Sequence, residues 1–124
     1  MSQANEDIIR TFIEAWSRRD PEELTAFFTP DGVYHNMPTQ PVAGHAALKG
    51  FIGAFLKDWT STEWDILNLM SKGDVVIAER LDRTLVGAKP VNLPCCGVFE
   101  MRDGKIAVWR DYFDMGTYVN ALKG

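Results

Sequence analysis

Charged side chains interrupt a strand-like segment, VVIAERLDRTLV, that runs from Val75 to Val86. Side chains of a strand alternate between its two faces, so Arg80 and Asp82 share one face while Glu79 and Arg83 share the other. Whichever face turns inward therefore buries charge, which is unfavourable unless the charge is paired. The segment alone does not indicate which face is buried. On either face, the buried charges need partners or a function.

Two further segments place polar groups among apolar neighbours at the same two-residue spacing. In IAVWRDYFDM, Asp111 shares a strand face with Trp109 and Phe113. A carboxylate between two aromatic rings is costly unless it is paired. In VYHNM, Tyr34 and Asn36 project together from one face.

Residues of these types can perform general acid–base chemistry. Two carboxylates serve as acid and base when one is protonated and the other ionised, and proximity moves their pKa values apart. A shared guanidinium keeps both from taking protons. Each motif alone is more often a structural ion pair or a core hydrogen bond. The combination favours an active site made of Tyr34, Asn36, Arg80, Asp82 and Asp111.

The segments that must position these residues predict helices first and long strands afterwards. Apolar residues recur at helical spacing in NEDIIRTFIEAWSRR and in HAALKGFIGAFLKDW. Between them, DPEELTAFF predicts a short helix with Asp20 as its N-cap and Glu23 completing a capping box. TPDG predicts a turn before the short strand VYHNM.

From Glu63 onward the pattern is that of antiparallel strands joined by tight turns such as RDGK. We therefore predict one domain over residues 1–124, of the α+β class. In it, a curved mixed, mainly antiparallel sheet packs around three N-terminal helices and forms a cone with a deep apolar pocket.

Composition limits the partners and the compartment. The chain has 124 residues, 46% of them hydrophobic, and a net charge of −4 with no basic run, which argues against nucleic acid or an anionic membrane as a partner. No apolar stretch reaches the roughly 20 residues of a membrane span. Cys95 and Cys96 are adjacent, so we expect two free thiols in a reduced, cytoplasmic protein. His35 and His45 lack metal-ligand spacing, and we expect no metal and no cofactor.

The segments VYHNMP, ERLD and GKIAVWRDYFD resemble the limonene-1,2-epoxide hydrolase family. That family has the cone-shaped α+β fold shared with scytalone dehydratase, ketosteroid isomerase and nuclear transport factor two. The resemblance runs from Ile8 to the C-terminus, and WRDYFD is its most specific part. It implies a homodimer, with an active site of Tyr-x-Asn, Arg-x-Asp and the first Asp of Arg-Asp-Tyr-Phe.

The resemblance also implies a role for each matching residue. Asp82 is the general acid and Asp111 the general base; Arg80 bridges them, and Tyr34 and Asn36 hold the water. The expected reaction is the cofactor-independent addition of water to a small apolar epoxide, cyclic or terpene, to give a vicinal diol in one concerted step.

By position and by resemblance, the pocket is expected to be lined by Ile13, Trp16, Leu93 and Phe113, although each is equally compatible with a core position. Two other functions remain open. A ketosteroid-isomerase-like proton-transfer enzyme needs one carboxylate base with neutral donors, which an Arg beside the second Asp fits poorly. A non-catalytic, small-molecule-binding dimer module predicts the loss of one of the five residues, and none is lost.

Overall fold

Four helices and six strands make up most of residues 3–123, the part of the chain that the computed structural model describes. The helices are α1 (Gln3–Ala15), α2 (Pro21–Thr25), α3 (His45–Leu56) and α4 (Met115–Lys123), and a 3₁₀ turn (Trp16–Arg18) follows α1. The strands are β1 (Phe28–Asn36), β2 (Val42–Ala43), β3 (Trp59–Lys72), β4 (Val75–Val86), β5 (Lys89–Arg102) and β6 (Lys105–Tyr112).

The strands form one curled sheet in the order β2-β1-β6-β5-β4-β3. The pairing of β1 with β6 is parallel, whereas all other pairings within the sheet are antiparallel. Helix α1 packs on β3, α3 packs on β1, and α4 packs on β5. The predicted α+β class, with a mixed, mainly antiparallel sheet curved around N-terminal helices, is confirmed. Among residues 3–123, no helix combines the length and apolar character needed to cross a membrane.

Burial along β4 determines which face of the charged strand turns inward. Val76, Ala78, Arg80, Asp82 and Thr84 are all buried, and the alternate residues are exposed or half-buried. The inner face therefore carries the guanidinium and the carboxylate together with small or aliphatic side chains. The opposite face carries its charges toward solvent, where they need no buried partner.

Aromatic side chains fill the space between this inner face and the helices. Phe12 of α1 lies at the centre, with ring centroids 5.2 Å from Trp109 and 6.0 Å from Phe99, both edge-on. Such edge-to-face pairs add about 0.5–1.5 kcal/mol each beyond the burial of apolar area. Trp109 belongs to the same strand as Asp111, so the core packing also orients the strand that carries this carboxylate.

Local details differ from the sequence-based expectations at the start of the sheet and of α2. TPDG is part of β1 rather than a turn, and the pairing with β6 shifts register between Phe28 and Val33. Asp20 caps α2 as predicted, its Oδ1 accepting a hydrogen bond of 3.0 Å from the Glu22 amide. Glu23 does not close a capping box, because its carboxylate takes hydrogen bonds from Arg18 at 2.6–3.2 Å.

The C-terminal helix α4 was not predicted. It has no fully buried residue to mark it, and Tyr118, Ala121 and Leu122 are only partly buried against β5. Its start is instead marked by Asp114, whose Oδ2 accepts hydrogen bonds from the Thr117 amide at 3.1 Å and from the Thr117 hydroxyl at 2.8 Å. This is N-capping, in which a short acidic side chain satisfies amides that have no partner within the helix.

Candidate active site

Strand register brings the predicted polar residues of β1 and β6 side by side. Across the parallel pairing, Asn36 lies opposite Asp111 and Tyr34 lies opposite Trp109. The backbone carbonyl of Asp111 also accepts a 2.9 Å hydrogen bond from the amide of Met37, just past the end of β1. The amide side chain of Asn36 and the carboxylate of Asp111 therefore occupy neighbouring positions on the buried face.

Arg80 reaches Asp111 by crossing over β5. Asp111 is paired with Gly97 on β5, and Gly97 is paired in turn with Ala78 on β4, two residues from Arg80. A Cβ atom at Gly97 would lie 2.8 Å from Nη1 of Arg80, closer than real contacts allow. The missing side chain of Gly97 thus provides the space in which the guanidinium spans the strand.

Arg80 binds both carboxylates in a fork. Its Nε and Nη2 donate to Oδ1 and Oδ2 of Asp82 at 3.0 and 2.9 Å. Its Nη1 and Nη2 donate to Oδ1 and Oδ2 of Asp111, both at 2.9 Å. Exposure is 0% for Arg80, 6% for Asp82 and 3% for Asp111, so water screens none of these charges.

The charge balance of this buried group favours one bound proton. Two ionised carboxylates against one guanidinium would leave an unpaired negative charge away from water, which is unfavourable. Burial raises the pKa of Asp82, and the charge and hydrogen bonds of Arg80 oppose the rise without cancelling it. Burial works against the charge of Arg80, but Asp111 and Asp82 outweigh it and hold the guanidinium pKa well above its usual range. The raised pKa means that Asp82 keeps a proton more readily than an ordinary aspartate does.

Two indole rings enclose the guanidinium. The centre of the Arg80 guanidinium lies 4.5 Å from the ring centroid of Trp64 and 5.8 Å from that of Trp109. Trp64 in turn stacks on Trp16, with centroids 4.4 Å apart and planes 14° apart. A cation above an aromatic face is attracted to the ring, and these contacts hold the guanidinium plane in place.

Tyr34 is held by ring stacking at the same site. Its ring lies 4.1 Å from that of Trp109, with the two planes 3° apart. Burial raises the pKa of the Tyr34 hydroxyl well above its usual range, and the charge of Asp111 adds to the rise. The phenol is therefore a neutral hydrogen-bonding group, as the acid–base scheme requires.

The site opens into a cavity of about 250 Å³. Aromatic and aliphatic side chains from α3, β3, β5 and α4 dominate its wall. The lining residues are Tyr34, Asn36, Thr39, Phe51, Phe55, Trp59, Trp64, Asp82, Thr84, Val91, Leu93, Cys95, Asp111, Phe113, Met115 and Tyr118. Both carboxylates thus face an apolar cavity that can hold a small ligand.

Of the four residues expected to line the pocket, Leu93 and Phe113 are in its wall. Ile13 and Trp16 are not, and the expectation was wrong for these two. Both are at most 2% exposed and belong to the core, because α1 lies behind the wall rather than in it. Trp16 contacts the cavity wall from behind, because its ring stacks on that of Trp64.

Several residues of the cavity were not predicted. Cys95 lies two residues from Leu93 on the same strand face, so strand alternation could have identified it. Trp64 was recognised only as part of a strand, because the register shift between Ile66 and Asn68 obscures its alternation. Residues of α4 such as Tyr118 were missed together with the helix.

The atoms best placed to bind a metal belong to the same group. One ligand atom each from Asp82, Cys95 and Asp111 lies within 4.8 Å of the others. However, all four carboxylate oxygens already accept hydrogen bonds from Arg80, whose positive charge takes the place of a cation. The imidazoles lie elsewhere: His35 pairs with the Thr39 carbonyl and His45 with the Phe28 carbonyl, both at 2.9 Å.

The sequence of this chain matches a known protein family. The family described as limonene-1,2-epoxide hydrolase catalytic domain matches residues 3–123. This chain belongs to the limonene-1,2-epoxide hydrolase family. The resemblance inferred from VYHNMP, ERLD and GKIAVWRDYFD is therefore confirmed.

Two proteins similar to this chain are epoxide hydrolases. The epoxide hydrolase EphG of Mycobacterium tuberculosis is 30% identical over 107 residues, which cover 86% of this chain and 71% of that protein. The solved structure of an M. tuberculosis LEH-like epoxide hydrolase superposes with a TM-score of 0.85 at 27% identity, covering 98% of this chain and 91% of that one. These relatives support epoxide hydrolysis in general.

The fold itself extends beyond the family. A protein of Catenulispora acidiphila with a ketosteroid isomerase-like fold, solved in complex with trimethylamine, has a TM-score of 0.84 at 19% identity, over 92% of this chain and 90% of that one. At a sequence identity this low, the similarity shows only that the two proteins share a fold. Function must therefore be argued from the side chains of the site.

We predict that Gly97→Ala destabilises the protein by about 1–3 kcal/mol, because the new methyl group collides with the buried guanidinium. Urea unfolding measures the change. Gly50→Ala is the matched control: a Cβ at Gly50 meets nothing within 4 Å, and alanine in α3 should stabilise by roughly 0.5–1 kcal/mol. Equal stability of the two variants would contradict the crossing of β5 by Arg80.

Proposed function

We propose that this chain is a cofactor-independent epoxide hydrolase, adding water to small apolar epoxides, cyclic or terpene, to form vicinal diols in one concerted acid–base step. One observation carries the proposal. A single buried guanidinium holds two carboxylates at 2.9–3.0 Å at the wall of an apolar cavity, an arrangement suited to one protonated acid and one ionised base. Family membership supports the reaction type.

In this proposal, Asp82 is the general acid. Opening an epoxide leaves an alkoxide oxygen that must take a proton as the C–O bond breaks. Burial raises the pKa of Asp82, so its carboxyl keeps a proton at a pH where an ordinary aspartate has lost it. The proton passes from Asp82 to the epoxide oxygen, and Arg80 then stabilises the carboxylate that remains.

Asp111 is the general base. Its carboxylate removes a proton from the water molecule as the water oxygen bonds to the epoxide carbon. Tyr34 and Asn36 lie beside Asp111 and line the same cavity, so they are suited to hold that water by hydrogen bonds. The raised pKa of Tyr34 keeps its hydroxyl neutral during the reaction.

The charge of the group is the same before and after a turnover. One proton leaves Asp82 for the epoxide oxygen and one arrives on Asp111 from water, so two negative carboxylates never face Arg80 alone. The next cycle requires a proton to return from Asp111 to Asp82. Because ligand atoms of the two lie within 4.8 Å, that return path is short.

The cavity wall supports a small apolar substrate. Its volume of about 250 Å³ is slightly below the roughly 300–1,000 Å³ typical of ligand pockets, which favours a small substrate. Phe51, Phe55, Val91 and Leu93 contribute apolar surface, which favours a hydrocarbon ring or chain attached to the epoxide. Proton transfer of the ketosteroid-isomerase type needs one base and neutral donors, and is disfavoured because Arg80 is bound to both carboxylates.

We further propose a homodimer formed through the outer face of the sheet. Leu67 is 57% exposed, Ile77 36% and Tyr112 45%. Leu67 and Tyr112 share a shallow groove with Leu81 and Pro94, which Glu79, Arg80, Cys95 and Cys96 also line. The family resemblance implies a homodimer, and a second copy of the chain on this face would cover these apolar side chains.

We also propose a cytoplasmic location, which rests on the two free thiols of Cys95 and Cys96. Neighbouring cysteines that remain unpaired are typical of reducing compartments. Detection of the full-length protein in the cytosolic fraction of its host, with both thiols reactive to alkylation after denaturation, would support this location.

Asp82→Asn and Asp111→Asn should each lower kcat/KM for diol formation by roughly 10²–10⁴-fold, since each amide keeps the shape of the side chain but neither gives nor takes the proton. The measurement is a diol assay across cyclic, terpene and aryl epoxides. Asp65→Asn is the matched control, a 46% exposed carboxylate paired with Arg83 outside the cavity. Retention of a tenth of the wild-type rate would remove the substituted residue from the mechanism.

The dimer is tested by sedimentation equilibrium. Wild-type protein should have twice the mass of one chain. Leu67→Glu should have the mass of one chain, because the substitution places a charge in the apolar contact. Val119→Glu, at a 40% exposed position on α4, is the control and should leave the mass unchanged. A single-chain mass for the wild type would rule out the proposed contact.

A further inference from the structure

A buried thiol touches the proposed general acid. Sγ of Cys95 lies 3.4 Å from Oδ2 of Asp82 and 3.5 Å from the backbone carbonyl oxygen of Leu93. Cys95 is 5% exposed and lines the cavity, directly across the β4–β5 pairing from Arg80. The mechanism described above does not use this side chain.

The thiol has one proton and two acceptors within reach. Sulfur is a weak donor and a weak acceptor, so the direction of its hydrogen bond follows the state of its neighbour. When Asp82 is protonated, the S–H group can donate to the Leu93 carbonyl while sulfur faces the carboxyl group. When Asp82 is ionised, rotation about the Cβ–Sγ bond turns the same proton toward Oδ2.

We infer that Cys95 is a positioning residue for the proton transfer, stabilising the ionised form of Asp82 that remains after the epoxide oxygen has taken its proton. The inference rests on the proposed function only in assigning that proton to the epoxide. The contact between thiol and carboxyl group is a property of the protein without substrate.

The sulfur can act in this way because it stays protonated. Burial raises the pKa of the Cys95 thiol, and the negative charges of Asp82 and Asp111 raise it further. A thiolate would repel both carboxylates and would compete with water for the epoxide carbon. A neutral thiol avoids both effects and keeps a proton to donate.

The pKa of Asp82 depends on every group that faces it. The titratable or charged side chains bound to it or lining the same cavity are Tyr34 of β1, Arg80 of β4, Cys95 of β5, Asp111 of β6 and Tyr118 of α4. Strand β3 places the uncharged Trp64 opposite Asp82. Substitution of Cys95 leaves the other groups in place, so a change in the Asp82 pKa reports the contribution of the thiol.

Three variants separate hydrogen bonding from packing. Cys95→Val fills the space without a donor, whereas Cys95→Ser keeps a donor in a smaller side chain. Cys96→Ser is the matched control: Cys96 is the next residue, but its side chain points to the outer face of the sheet. Circular dichroism and thermal unfolding establish that each variant is folded, and Cys95→Ala replaces Cys95→Val should the latter not fold.

The first measurement is the pKa of Asp82 in the free protein. It uses carboxyl-¹³C NMR, with the resonance assigned by its loss in Asp82→Asn. Because the donor favours the ionised form, Cys95→Val should raise this pKa by about 0.5–1 unit, as expected for a weak donor to a charged group. Cys95→Ser should leave it near or below the wild-type value, and Cys96→Ser should leave it unchanged.

The second measurement is the pH profile of kcat/KM for diol formation. Activity requires protonated Asp82, so it falls as pH rises through the pKa of Asp82, and a higher pKa moves this limb to higher pH. Cys95→Val should shift the limb upward and lower kcat about three- to tenfold, while Cys95→Ser should recover most of kcat.

The outcomes distinguish this inference from the proposed function. If Cys95→Val leaves both the NMR pKa and the pH limb at their wild-type positions, the thiol only packs and the inference is wrong. If wild-type protein forms no diol from any epoxide but Cys95→Val still raises the pKa of Asp82, the proposed function fails while the coupling of thiol and carboxyl group stands.

Discussion

One buried guanidinium between two carboxylates is the interaction on which the rest of this structure depends. Arg80 is fully buried and donates four hydrogen bonds of 2.9–3.0 Å to Asp82 and Asp111. Removing one partner from such a group leaves an uncompensated charge, which typically costs about 3–5 kcal/mol. The same group is neutral only when one of the two carboxyls carries a proton, and in the proposed function this proton distinguishes the acid from the base. Structural and chemical requirements therefore coincide at these residues.

The surrounding sheet is built to accommodate this charge. Gly97 provides the gap through which Arg80 crosses β5, and the indoles of Trp64 and Trp109 enclose the guanidinium. Trp16 supports Trp64 from the helix side. The core packing thereby extends to within one layer of the two carboxylates, so a substitution at Trp16 can affect the site although Trp16 does not line the cavity.

Most of the site residues could be predicted from the alternation of side chains along the strands. It placed Tyr34 with Asn36 and Arg80 with Asp82, and the structure brings both pairs to Asp111 on one inner face. Alternation fails where the register shifts, as between Ile66 and Asn68 near Trp64. The helical stripe that includes Trp16 predicts a buried side but not the depth of each side chain, so Trp16 was expected in the pocket wall but lies behind it. Helix α4 escaped prediction because it buries no complete side chain, although it contributes Tyr118 to the cavity.

The origin of the new oxygen tests the central claim most directly. If Asp111 acts as a base toward water, a single turnover in oxygen-18 water with enzyme in excess should place the label in essentially every diol molecule and none in the protein. A covalent route would instead pass through an ester of an aspartate. An unlabelled first-turnover diol, with the label found in the carboxyl group of Asp82 or Asp111, would contradict the division of the two carboxylates into acid and base.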